Sequence, residues 1–122
     1  MSGPDHRSEP WKSFVSYEDL KSPPLGERAR RQIGFLLRRL QQGHELQEPV
    51  SRKLRSNPSI FELRIPDGRR TWRLIYFAGP DEVVVLSLFR KTTAKTPRQQ
   101  LEKSRNRLKR YLEAKEPSGN AP

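Results

Sequence analysis

The chain has 122 residues, of which 32% are hydrophobic, and this predicts one domain with a single modest core. It has no cysteine, which excludes disulfides and thiolate metal ligands and is typical of a reducing compartment. We find no secretory leader and no apolar run of about 18 residues, so we expect a soluble, cytoplasmic protein without a membrane span.

The positive charge indicates the kind of partner. Against 14 Asp and Glu, the 25 Lys and Arg residues give a formal net charge of +11. A balance this basic favours a polyanionic partner, of which nucleic acid is the usual one, and an acidic protein is the alternative. The two partners are not mutually exclusive.

The chain begins and ends with polar, proline-broken segments. We expect residues 1–10 to be a disordered tail, 11–115 to form one domain, and 116–122 to be a second disordered tail. The aromatic-rich segment Trp11–Tyr17 predicts a short strand added to the edge of a sheet.

The clearest predicted helix is Glu27–Gln42, because its apolar residues recur at three- and four-residue steps. That stripe contains Ala29, Ile33, Leu36, Leu37 and Leu40. Most of the arginines of the segment lie off the stripe, and Gly43 is suited to end the helix. Residues 44–59 are interpreted as a connector with a short helical turn at Ser51–Arg55.

Three consecutive segments have the pattern of strands. Phe61–Ile65 alternates apolar and polar residues, Thr71–Ala78 is rich in aromatic and β-branched residues, and Val83–Phe89 is almost unbroken apolar. Turn residues separate them at Pro66–Arg69 and Gly79–Asp81. The pattern therefore predicts an antiparallel meander.

A second helix is predicted from Arg98 to about Lys115, with Thr96 as its N-cap and Pro97 at its start. Between residues 90 and 115, ten Lys and Arg residues face only two glutamates, a local excess of eight positive charges. That concentration is typical of a surface that binds a phosphate backbone. The alternative is a helix face that is merely solvated.

Four motifs in this order resemble the RelE/HigB superfamily of toxins, and most closely its phage-derived HigB-like branch. They are LLRRLQQG (36–43), ELR (62–64), TWRLIYF (71–77) and VVVLSLFRKTTAKTP (83–97). The resemblance implies an α+β fold with an antiparallel sheet of three to four strands packed by helices. It also implies a toxin paired with an antitoxin that often carries a helix-turn-helix domain, and an activity similar to that of ribosome-dependent mRNA endonucleases.

Two positions depart from the branch pattern F-x-K-K-T-Q-x-T-P. Thr92 stands where the second lysine is expected, and Ala94 stands where the glutamine is expected. Lys91 is retained. These departures weaken the expectation of full catalytic strength but leave the segment basic.

The sequence contains no paired-carboxylate motif, no metal-ligand cluster and no Gly-rich phosphate loop, so we expect neither metal nor cofactor. RNA can be cleaved without them, because its own 2′-hydroxyl can attack the adjacent phosphate if the strand is oriented and the developing charge is stabilised. Arginine suits this task, since its planar guanidinium stays charged and matches phosphate oxygens.

The resemblance places basic active-site residues at Arg64, Arg73 and Lys91. We expect Arg73 to clamp the phosphate with Arg64 beside it, on the sheet face that the core does not need. Lys91 is the candidate for proton transfer, because neighbouring cations favour loss of its proton. The candidates for RNA binding are Arg69, Arg70, Arg90, Lys95, Arg98 and Arg105.

Several alternatives stay open. Arg64 and Arg73 could be surface arginines that are solvated or paired with Glu62. Trp72 and Tyr76 fit core packing, although Trp72 could stack on an RNA base. The protein could be a non-catalytic RNA- or ribosome-binding module, or a ParE-like inhibitor of DNA gyrase. We expect a monomer alone and a hetero-oligomer with its antitoxin.

Overall fold

The computed structural model describes residues 11–15, 25–56, 58–90 and 96–115. Its elements are, in chain order, β1 (Trp11–Ser13), α1 (Glu27–Gln41), β2 (Ser51–Ser56), β3 (Ser59–Asp67), β4 (Arg70–Ala78), β5 (Val83–Arg90) and α2 (Arg98–Lys115). The predicted tails 1–10 and 116–122, and the last two residues of the predicted edge strand, lie outside the described residues.

The five strands form one sheet in the order β1-β5-β4-β3-β2. The predicted α+β class and the meander of β3, β4 and β5 agree with this arrangement, but the prediction of three to four antiparallel strands is wrong. β2 is the additional strand, and β1 runs parallel to β5, with Trp11 opposite Val83. The sheet is therefore mixed.

β2 replaces the helical turn that we predicted at Ser51–Arg55. It pairs antiparallel with β3, placing Ser51 opposite Leu63, and a bulge interrupts the register between Lys53 and Arg55. Leu54 is the only apolar residue among its six, so the segment has little strand signal of its own. Its conformation follows from the hydrogen-bonding edge that β3 offers.

α1 covers one face of the sheet, as its apolar stripe predicts. Its residues Ile33 and Leu37 pack with Leu63, Leu74 and other apolar side chains in one buried cluster. The helix ends close to Gly43, which has a φ of 96°, a conformation that glycine adopts without steric penalty. Hereafter this side of the sheet is the α1 face.

The N-terminus of α1 is held by a side chain from the last residue of β3. The Gly26 N–H donates to Oδ2 of Asp67 at 3.0 Å, and the Trp72 indole Nε1 donates to the same oxygen at 2.9 Å. The Gly26 hydrogen bond, helped by Trp72, lowers the pKa of Asp67, although burial opposes that shift. One carboxylate thus joins α1 to the β3–β4 hairpin.

α2 covers the opposite face of the sheet, hereafter the α2 face. Leu108 and Tyr111 pack there with Ile75, Leu86 and other apolar residues in a second buried cluster. The expectation that the core does not need this face is therefore wrong. Neither helix of the described residues is long and apolar enough to cross a membrane.

Polar contacts also hold α2 in place. Ser104 and Ser87 hydrogen-bond at 3.0 Å, and Arg107 Nη1 donates to the Leu86 carbonyl at 2.7 Å. The Tyr111 hydroxyl donates to Glu82 at 2.6 Å. Burial, followed by this hydrogen bond to Glu82, raises the pKa of Tyr111. These contacts anchor α2 along β5 and leave the β2 side of the same face to a different set of residues.

Candidate functional site

Among the side chains that the structure describes, three neighbouring strands each contribute an arginine to the α2 face. They are Arg52 in β2, Arg64 in β3 and Arg73 in β4, and Arg64 lies directly opposite Arg73 in the strand register. Glu62 is opposite Arg52 and two residues before Arg64, so alternation along β3 puts all four side chains on one face. This arginine cluster is the candidate site.

Glu62 is the centre of the cluster and is only 2% exposed. Its Oε1 accepts hydrogen bonds from Arg73 Nη1 and from Arg52 Nη2, the latter at 3.3 Å. Its Oε2 accepts a hydrogen bond from the Thr96 hydroxyl at 2.7 Å. The hydroxyl that we predicted to cap α2 is thus a donor to the sheet, and it ties the segment just before α2 to β3.

The structure buries Arg73 more deeply than we expected. Its side chain is 4% exposed and its charge is compensated by the ion pair with Glu62. Its Nε is buried and has no hydrogen-bond partner among the described residues. The interpretation in which Arg73 pairs with Glu62 is therefore the one that the structure shows, and burial of the guanidinium leaves little of it accessible to a phosphate.

Arg64 has a different environment from its neighbour. Its side chain is exposed, and no acidic partner is found for it among the described residues. Arg52 shares features of both other arginines: 44% of its side chain is exposed, as in Arg64, and one of its nitrogens contacts Glu62, as in Arg73. The cluster therefore presents two accessible guanidinium groups above one buried ion pair, with an excess of positive charge.

The predicted RNA-binding arginines of the hairpin and of β5 lie at one end of the sheet. Arg69 and Arg70 are exposed at the β3–β4 turn, and Arg90 is exposed opposite Trp72. Trp72 belongs to the α1-face cluster, so alternation directs Arg70 and Arg90 toward the α1 side. They adjoin the arginine cluster at the end of the sheet but do not share its face.

The remaining predicted residues are divided between α2 and the segment before it. Arg98 and Arg105 are exposed on α2, and Arg98 Nε lies 3.5 Å from Glu102 in an i, i+4 pair. Lys91 and Lys95 lie outside the described residues, as do Thr92 and Ala94.

Some of the basic side chains of α2 make contacts with other residues of the same chain. Besides Arg107, Lys115 contacts Asp81 at 2.9 Å, and the Arg110 guanidinium lies 5.7 Å from the centroid of the Phe14 ring. The Asp81 contact raises the pKa of Lys115. Within the described residues, the cations available to a polyanion are therefore fewer than the sequence count indicates.

Sequence reasoning missed three members of the site: Arg52, Glu62 as its centre, and Thr96 as a donor. Arg52 was placed in a helical turn, where its side chain has no relation to the sheet. Once that segment is read as a strand antiparallel to β3, the same residue falls opposite Glu62. Pairing of Arg73 with Glu62 was among the alternatives that the sequence left open, and the adjacent antiparallel strands β3 and β4 bring these two positions together.

A groove lies on the other side of the sheet, between the C-terminal end of α1 and strands β2 to β4. Its volume is about 630 Å³, and its lining includes Phe61 and Tyr76, whose ring centroids are 5.3 Å apart in a stacked arrangement. The Tyr76 hydroxyl and Ser51 hydrogen-bond at 2.8 Å. Trp72 and Tyr76 belong to the α1-face core, which confirms the packing interpretation.

Residues 18–109 match the family described as Phage derived protein Gp49-like (DUF891), and the chain belongs to that family. The family is part of the RelE/HigB-like toxins, which confirms the superfamily resemblance, while the particular HigB branch stays a prediction. Membership indicates the toxin module of a toxin–antitoxin system, which has an antitoxin as partner. No curated protein matches the chain.

Proposed function

We propose that this protein is the toxin of a type II system and a metal-independent endoribonuclease. Its substrate is mRNA, cut on the translating ribosome in the cytoplasm, and its effect is to inhibit translation. The observation that carries the proposal is the arginine cluster, in which Arg52 and Arg73 contact one buried carboxylate on the sheet and the exposed Arg64 lies opposite Arg73. The family of the chain supports the toxin role.

The proposed reaction needs orientation and charge stabilisation. The RNA 2′-hydroxyl loses its proton and attacks the adjacent phosphorus, and the 5′ oxygen of the next nucleotide leaves and takes up a proton. The products are a 2′,3′-cyclic phosphate and a free 5′-hydroxyl. Arg64 and Arg52 are the accessible groups that stabilise charge on the phosphoryl oxygens, and Lys91 is the proposed proton-transfer group.

Arg73 acts from beneath this surface in the proposed mechanism. Its ion pair holds Glu62 in place, and Glu62 in turn holds Arg52 and Thr96. Arg73 is thereby a positioning residue in the free protein. It becomes a direct phosphate ligand only if bound RNA displaces the Glu62 carboxylate.

The RNA strand would follow exposed cations around the site. The candidates are Arg69, Arg70, Arg90, Lys95, Arg98 and Arg105, of which all but Lys95 are described and exposed. Contacts of this kind bind phosphates irrespective of base, so affinity should fall steeply as the salt concentration rises. The antitoxin, which we expect to be of the helix-turn-helix type, would restrain the toxin in a hetero-oligomer.

The test is induced expression of the wild type and of Arg64→Ala, with growth and newly formed mRNA 5′ ends as readouts. Lys12→Ala, which removes an exposed cation from β1, is the matched control. We expect arrest and new cleavage sites in translated messages for the wild type and the control, with both lost in Arg64→Ala. Cleavage that survives Arg64→Ala at full strength would remove the cluster from the mechanism.

A second candidate function is non-catalytic binding of RNA or the ribosome. It is favoured by the compensated charge of Arg73 and by Thr92 and Ala94 in place of the family residues. In that case the protein would sediment with ribosomes without producing new 5′ ends. Arrest without cleavage would instead direct attention to DNA gyrase, and a supercoiling assay would decide that outcome.

A further inference from the structure

The outward side of α1 has an unusual combination of apolar and basic residues. Phe35 is 52% exposed, although large hydrophobic residues elsewhere in the described chain are mostly buried. Arg31 and Arg38 are exposed next to Phe35, four residues before it and three residues after it, and Arg28 is exposed on the same side one turn nearer the N-terminus. The Arg39 guanidinium lies 5.8 Å from the centroid of the Phe35 ring and so covers part of it.

Gly34 adds a second, independent observation. Glycine in the middle of a helix is destabilising relative to alanine, because it loses more conformational freedom on folding. A Cβ built at Gly34 would meet no atom within 4 Å, and its φ is not in the left-handed region. Nothing within the described protein therefore requires a glycine here, whereas close contact with a partner would favour one.

These residues lie away from the arginine cluster. α1 packs on the face of Leu63 and Leu74, whereas the arginine cluster lies on the α2 face of the same sheet. A molecule bound to the outer side of α1 would thus be separated from Arg64 by a helix and the sheet. This surface can be occupied while the arginine cluster stays accessible.

We propose that the outer side of α1 docks an acidic amphipathic helix of a protein partner. The partner's apolar residues would pack on Phe35, its backbone would approach at Gly34, and its carboxylates would pair with Arg28, Arg31 and Arg38. The inference rests on the proposed function, because it takes the partner to be the antitoxin. It goes further by giving the binding surface and the chemistry of the segment that binds.

The observations favour a protein over RNA on this surface. Small residues such as Gly34 allow two helices to approach closely, and an exposed aromatic residue beside arginines is typical of the centre of a protein interface. One side of the Phe35 ring is already occupied by Arg39, which leaves less of it for stacking on a base. Phosphate binding would use the arginines but gives no role to Gly34.

The experiment uses the full chain with the product of the reading frame that adjoins its own, taken as the antitoxin. Dissociation constants would be measured for the wild type, Phe35→Ala and Gly34→Ala. Leu112→Ala is the matched control, because Leu112 is the other large hydrophobic residue exposed within the described ranges, at 37%. We expect at least a tenfold weaker complex for Phe35→Ala and a change of less than twofold for Leu112→Ala.

Gly34→Ala separates docking from folding. We expect it to raise the thermal midpoint of the isolated chain, since alanine is the better helix former, and yet to weaken the complex severalfold. A variant that is more stable and binds less well cannot be explained by misfolding. Unchanged affinity in both Gly34→Ala and Phe35→Ala would overturn the proposal.

A binding assay with a single-stranded uridine 20-mer covers the RNA alternative. If Phe35→Ala and Arg31→Ala weaken RNA binding but leave the partner's affinity unchanged, the surface binds RNA and the proposal is wrong. If the wild type does not bind the adjoining product at all, the proposal is also wrong. The mapping of mRNA 5′ ends would still test the nuclease separately, since it needs no antitoxin.

Discussion

The two faces of the central sheet are each covered by a helix, but their interiors differ in chemistry. The α1 face is packed by apolar and aromatic side chains, among them Leu37 and Leu74, which are fully buried. The α2 face has an apolar cluster as well, but it also buries Glu62 and Arg73. A buried ion pair is a poor source of stability, because desolvation offsets its attraction. Both faces therefore contribute apolar core to the fold, and only the α2 face also carries the proposed chemistry.

The largest expected effect is that of Glu62→Ala. The substitution leaves Arg73 buried without a counter-charge, and breaking such a pair costs about 3–5 kcal/mol of unfolding free energy. The measurement is equilibrium denaturation in urea. Glu27→Ala is the control, because Glu27 pairs with Arg31 at 3.7 Å on an exposed helix surface, and such pairs contribute about 0.3–0.5 kcal/mol.

The next prediction addresses the α1 face. Leu37→Ala removes a side chain that is 0% exposed, and it should lower the unfolding free energy by about 2–5 kcal/mol. The arginine cluster is on the other face, so we expect mRNA cleavage to persist at temperatures where the variant stays folded. Loss of cleavage by folded Leu37→Ala would contradict the division between the two faces.

A double substitution sharpens the comparison further. Glu62→Leu with Arg73→Met replaces the buried pair by apolar side chains, and such exchanges are often neutral or stabilising by about 1–4 kcal/mol. We expect a folded protein of at least wild-type stability that no longer cleaves mRNA. A double variant that still cleaves would show that the buried pair serves packing alone.

The smallest effect concerns pH and the Asp67 cap. Because the pKa of Asp67 is lowered in the folded protein, the ionised carboxylate stabilises the fold above its ordinary pKa of 3.8. That contribution is lost as the pH falls through the lowered value. We therefore expect the stability difference between the wild type and Asp67→Asn to be largest near neutral pH and to shrink in acid. A difference that does not change with pH would contradict the role of the charge.

Much of the fold was accessible from periodicity. α1, α2 and the strands of the meander begin and end within a residue or two of their predicted limits, because each contains enough apolar residues at a regular spacing. β2 was missed since Leu54 is its only apolar residue, and its partner is another segment of the chain. Local sequence does not reveal a strand that depends on a neighbour's free edge.

The site was predictable in its residues but less so in their environment. Alternation along β3 correctly predicted that Arg64 and Leu63 lie on opposite faces of the sheet. The register between β3 and β4 then brings Arg64 next to Arg73. Alternation cannot predict which other parts of the chain pack over the α2 face, and here these are α2 and Thr96. The burial of Arg73 and its pairing with Glu62 both follow from that packing.

The cap at Asp67 has a consequence for synthesis of the chain. The hydrogen bond from Gly26 spans 41 residues, and strand β1 likewise pairs with β5, which is made much later. On the ribosome, α1 would leave the exit tunnel long before its capping carboxylate, and β1 long before its partner strand. A nascent chain can therefore complete neither contact until the hairpin and β5 have emerged, and we expect the proposed toxic activity to arise late in translation.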